Sequence, residues 1–165
     1  MDTDRRTLRF RRQFLVAPAP CDDLSHWQHA RFGASHVHVH PETALTVGHI
    51  NDSSAVLIGD AIDPSHPEHT HDDIVATVVA RSTTIDRLID YLNDLGGRFV
   101  LLIKTPDNTW AVTDPCGLRP LYYTRGDTGV VLGAQPTVLQ QATELPVDDR
   151  LRTYLASSYA QQFED

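Results

Sequence analysis

Between Thr70 and Leu95 the apolar residues recur at spacings of three and four, and on both sides of that stretch the spacing falls to two. A helical middle flanked by strand patterning can bury both kinds of apolar face only by laying helices on sheets. Ile74, Val75, Val78 and Val79 form a first stripe, opened by short polar caps and acids over Thr70 to Asp73. The pattern restarts over Ser82 to Asp86. Ile85, Leu88, Ile89, Leu92 and Leu95 then share a face, and Gly96-Gly97 is expected to end it as a left-handed cap. Upstream, strands are expected over 9–16, 35–40, 45–49 and 55–58, with a turn at 51–54, a stop at Gly59 and a loop at 63–67. Downstream, 99–104, 109–113, 121–124 and 130–132 are joined by turns too short for parallel pairing, so an antiparallel meander is expected. Pro136 opens a helix to about Ala142, and another is expected from about Asp148 to Tyr159. The fold class is α+β, with helices packed on antiparallel sheets.

The 165 residues suit one domain of ordinary size, and 41% hydrophobic with 22% charged residues is ordinary globular usage. The net charge of −8 argues against a nucleic-acid partner, and no apolar run approaches a membrane span. The first twelve residues carry five arginines against Asp2 and Asp4, net +3, which leaves −11 for the rest. Arg11-Arg12-Gln13-Phe14-Leu15 looks like a twin-arginine signal, but Pro18 and Pro20 interrupt the apolar stretch that export requires. Two cysteines, Cys21 and Cys116, are too few for a disulfide framework. A reducing, cytoplasmic setting is expected.

Leu95-Gly96-Gly97-Arg98-Phe99-Val100, followed by Thr113-Asp114-Pro115-Cys116-Gly117-Leu118-Arg119-Pro120-Leu121-Tyr122-Tyr123, resembles the glutamine-amidotransferase domain of the asparagine synthetase family. There a helix pair ends at a Gly-x-Phe strand, and a hairpin leads to an Asp-x-x-Gly-x-x-Pro-Leu-Tyr-Tyr turn. Leu57-Ile58-Gly59-Asp60-Ala61-Ile62 is similar to the family's Asn-Gly-Glu-Ile strand, and His71-Asp72-Asp73-Ile74 to its Ser-Asp-x-Glu helix start. The matching features cover about residues 55–135. The resemblance implies the four-layer αββα sandwich of the N-terminal-nucleophile hydrolases. It marks Asp114, Gly117, Arg119 and Tyr122 as the turn motif, and Gly59, Asp60 and Asp72 as vestigial substrate-binding positions.

Active relatives hydrolyse glutamine with a cysteine exposed as the first residue, whose α-amino group serves as base. This chain opens Met1-Asp2-Thr3, so loss of methionine exposes aspartate. The family's oxyanion-binding asparagine is matched by Ile58, which cannot donate a hydrogen bond and leaves the Gly59 amide as a lone donor. No catalytic residue is therefore assigned. The expected role is a non-catalytic amidotransferase-like domain, structural or partner-docking, in an asparagine-synthetase-related amide-forming protein. Its partner would be an ATP-dependent synthetase domain, in cis or in trans, and pairing as a homodimer is a further expectation. ATP and Mg belong to that partner, and no cofactor is assigned to this chain. Residues 1–145 would form the amidotransferase-like domain, and 146–165 a linker or the start of a synthetase domain.

Two alternatives stand beside this reading. Processing before Cys21 would create a cysteine terminus. Cys116, by contrast, is expected to pack as a small apolar residue. Arg119 and Arg98 are expected to brace a carboxylate such as Asp114, and Asp72-Asp73 to cap a helix. The second alternative uses the nine histidines. His36, His38 and His40 alternate along one strand, and His66, His69 and His71 share a loop, so zinc binding or a response near about pH 6–7 is the histidine-based reading. No metal ligand is assigned.

Overall fold

The computed structural model describes residues 10–126, 128–143, 145, 146 and 148–157. Among the described residues nine strands form in chain order: β1 (Phe14–Ala17), β2 (Gln28–Phe32), β3 (Ser35–Val39), β4 (Leu45–Ile50), β5 (Ser53–Ile62), β6 (Gly96–Lys104), β7 (Thr109–Thr113), β8 (Tyr122–Gly126) and β9 (Gly129–Gly133). Four α-helices join them: α1 (His71–Arg81), α2 (Ile85–Asp94), α3 (Pro136–Thr143) and α4 (Asp149–Leu155). The strands make two sheets, β2-β3-β1-β9-β8 and β4-β5-β6-β7, and all pairings are antiparallel.

Alternation along the strands sorts the side chains into three apolar layers. Phe14 and Val16 of β1 with Val37 and Val39 of β3 meet Val56, Ile58, Val100 and Leu102 of the other sheet. The intervening residues of β5 and β6, Leu57, Phe99, Leu101 and Ile103, face α1 and α2 instead. On the far side Leu15, Ala17 and Val131 pack against Val138 and Leu139 of α3 and against Leu24 and Trp27. The order is helix, sheet, sheet, helix: an αββα sandwich. β5 is buried on both faces over residues 54–59, which is why its 55–58 segment reads as a continuous apolar run.

Thr70 caps α1 through a reciprocal box, its hydroxyl accepting from the Asp73 amide while the Asp73 carboxylate accepts from the Thr70 amide at 2.9 Å. α2 turns a different face inward than its spacing predicts. Leu88, Tyr91, Leu92 and Leu95 are buried, whereas Ile85 and Ile89 are largely exposed. Gly96-Gly97 is not a helix cap either: α2 ends at Asp94, the following Leu95 is extended, and both glycines begin β6. Gly97 adopts a φ of +118°, and a Cβ there would lie 2.2 Å from the Asp60 carbonyl oxygen.

Three further expectations change. The first strand starts at Phe14, because Phe10 and Arg12 take positive φ in a turn (Arg9 lies outside the described residues). β2 is a strand that the sequence pattern does not predict. The anticipated meander is two hairpins, since β7 edges one sheet and β8 the other. Residues 114–121 are thus the crossover between sheets. Of the last expected helix, 149–155 is formed and 158–165 lies outside the described residues. No described helix is long and apolar enough to cross a membrane.

Candidate functional site

The crossover and the ends of β1, β5 and β6 meet at one corner. Asp114 is buried at the start of the crossover, and its carboxylate accepts the Leu118 amide at 2.9 Å and the Arg119 amide at 3.0 Å. Burial alone would raise its pKa. The backbone donors of Arg119 and Leu118 outweigh that and hold the carboxyl below the usual range. Gly117, at φ +62°, lets the chain double back, its amide bonding the Asp114 carbonyl at 2.9 Å. The Asp-x-x-Gly-x-x-Pro motif is therefore a self-tied loop that aims Arg119 inward.

Arg119 is 7% exposed. Its guanidinium donates to the Arg98 carbonyl at 3.4 Å and to the Arg12 carbonyl, just before β1, at 3.1 Å. Among the described residues neither the Arg119 nor the Arg98 side chain forms an ion pair with Asp114; Arg119 holds that carboxylate through its main-chain amide. Arg98 instead donates to the Leu118 carbonyl at 3.0 Å. Main-chain dipoles thus hold a buried cation whose pKa burial pulls down from its ordinary value.

Gly59 lies against this cation. At φ +102° a Cβ there would sit 2.4 Å from the Arg98 carbonyl oxygen and 2.8 Å from Arg119 Nε. Its amide donates to the Ala44 carbonyl at 2.8 Å, so it is not the spare donor expected from the sequence. Ile58 points between the sheets and is fully buried. Asp60 is exposed opposite Arg98, Asp72 is exposed on the first turn of α1, and Tyr122 is exposed where β8 begins. Gly59, Arg119 and Asp114 are brought together, while Asp72 and Tyr122 stay outside this packed corner.

Cys21 follows the opposite end of β1. Its amide donates to His38 Nε2 at 3.2 Å, and burial pushes the thiol up, against weaker opposition from the Leu24 and Asp23 backbone. A raised thiol pKa disfavours the nucleophilic thiolate. Cys116 is exposed and not packed, contrary to expectation. β1 is the central strand of its sheet, paired to both β3 and β9, so a chain beginning at Cys21 would lack it.

Two histidine clusters form, each with a member the sequence did not nominate. On the outer sheet face β2 and β3 bring His29, His36 and His38 together, with His29 paired directly to His38. His40 is separate, buried against Trp27. His29 Nε2 contacts His36 Nδ1 at 3.0 Å, the Arg31 guanidinium abuts His36 Nε2, and the Cys21 amide occupies His38 Nε2. Burial lowers the His38 pKa to about 4. The second cluster unites His66 and His69 with Asp63, while His71 opens α1. Comparison with known protein families and with curated proteins finds no match for this chain.

Proposed function

We propose that the chain is a non-catalytic amidotransferase-like domain of an asparagine-synthetase-related, ATP-dependent amide-forming protein, with a structural or partner-docking role in the cytoplasm. The observation that carries this reading is the Arg119 guanidinium packed against Gly59, where the resemblance puts a substrate-binding glycine. Three more support it. The Gly59 amide is spent on Ala44, Ile58 offers no donor, and the described residues leading into β1, 10–13, include no cysteine, serine or threonine. The αββα layering agrees with the fold that the resemblance implies. Leu118, Tyr122 and Tyr123, exposed on and after the crossover, favour the docking half of the reading, with a synthetase domain in cis or in trans as partner. ATP and Mg would be bound by that partner.

Processing to Cys21 is the competing reading, and loss of the central strand weighs against it. Ammonia release from glutamine by the purified chain, with an intact-mass check of its terminus, separates the two. No turnover is expected. Turnover abolished by Cys21→Ala would overturn the proposal.

A further inference from the structure

The loop between β5 and α1 carries Asp63, His66 and His69, with Pro64 and Pro67 between them. Asp63 is only 3% exposed, so its charge requires compensation. Its Oδ1 accepts the Ser65 amide at 3.0 Å and the His66 amide at 3.2 Å. Its Oδ2 accepts the Tyr91 hydroxyl from α2 at 3.2 Å. Two imidazole nitrogens lie near that same oxygen: His69 Nδ1 is hydrogen-bonded to it at 3.3 Å, and His66 Nδ1 is 3.4 Å away. The two rings stack in parallel, 4.6 Å between centroids and 9° between planes.

Those separations have a chemical meaning. Zinc bonds to nitrogen and oxygen at about 2.0–2.1 Å, so neighbouring ligands of a tetrahedral ion lie about 3.3–3.4 Å apart. The carboxylate oxygen already stands at that spacing from both nitrogens, and all three atoms lie within 4.8 Å of one another. The supporting contacts are those a metal ligand needs, because the backbone amides and Tyr91 fix the carboxylate's orientation. Prolines on both sides of His66 limit the backbone freedom lost on binding. The His66 ring is 56% exposed, which leaves a path for the ion and for a fourth ligand.

The geometry points to a zinc site formed by Asp63, His66 and His69, with the fourth coordination position open to water. The other histidine cluster is less suited. Its nitrogens already face donors, Arg31 at His36 and the Cys21 amide at His38, and the Arg31 charge opposes a cation. This inference is independent of the amidotransferase reading.

Zinc titration of the full chain by calorimetry tests it, followed by the cobalt(II) absorption spectrum. One ion per chain is expected, with at least about 100-fold weaker binding in His66→Ala and in His69→Ala. His36→Ala is expected to bind as the parent does. Circular dichroism checks that the variants fold, which the exposure of His66 favours. Four results would overturn the site: no saturable binding below millimolar zinc, unchanged affinity in the His66 and His69 variants, loss in His36→Ala, or a thiolate-to-cobalt charge-transfer band that draws the ion to Cys21.

Discussion

Replacing Gly59 by alanine probes the corner where Arg119 lies. Two costs combine. At φ +102° an L-residue is strained, at about 1–3 kcal/mol. The new methyl would also start 2.4 Å from the Arg98 carbonyl oxygen, a backbone atom in the paired strand that cannot rotate away. Relief requires β5 and β6 to part near the Gly59–Phe99 pair, at a further cost of about 1–2 kcal/mol for weakened ladder bonds. The sum is about 2–5 kcal/mol. Gly117→Ala is the internal control: φ is +62°, but a Cβ there meets nothing within 4 Å. Backbone strain alone, partly offset by a stiffer unfolded chain, gives about 1 kcal/mol. Urea unfolding of both variants measures the difference directly. Equal midpoints for the two would refute the packed corner.

Asp114→Asn is expected to destabilise by about 2 kcal/mol at neutral pH, since the amide turns a donor toward the Leu118 and Arg119 amides. The folded Asp114 pKa is depressed, so its stabilisation is present above the ordinary carboxylate range and is lost as pH falls through the folded value. The Asn variant should therefore show a flatter acid limb in denaturant midpoint against pH, and an unchanged limb would count against the assignment. Thr70→Ala removes the α1 cap and should cost about 1 kcal/mol in the same unfolding assay. A chain starting at Cys21 lacks the buried Phe14 and Leu15 and should fail to give a cooperative thermal transition. A folded, glutamine-hydrolysing product would restore the processing alternative.

How far the sequence reveals this molecule depends on how local each signal is. The α1 boundary is legible because its cap lies within four residues, Thr70 to Asp73. β2 is not, since Gln28-His29-Ala30-Arg31-Phe32 shows two apolar residues and earns its place by pairing with β3. Short connections announce antiparallel neighbours, yet residues 114–121 step between sheets, which only the closing of the sandwich decides. The inward face of α2 includes Tyr91 because its hydroxyl finds Asp63, a partner 28 positions away. The site follows the same rule. Motif positions Asp114 and Gly117 tie a local loop and could be read directly, whereas Arg119 bonds a carbonyl 107 residues upstream. His29 and Asp63 join their clusters through strand pairing and a Pro-bounded loop, neither of which a count of histidines records.

The most direct test of the proposed non-catalytic role is intact-mass spectrometry after incubation with a glutamine-mimicking diazoketone. The parental mass alone is expected. A stoichiometric adduct mapping to one residue at a free amino terminus would contradict the account.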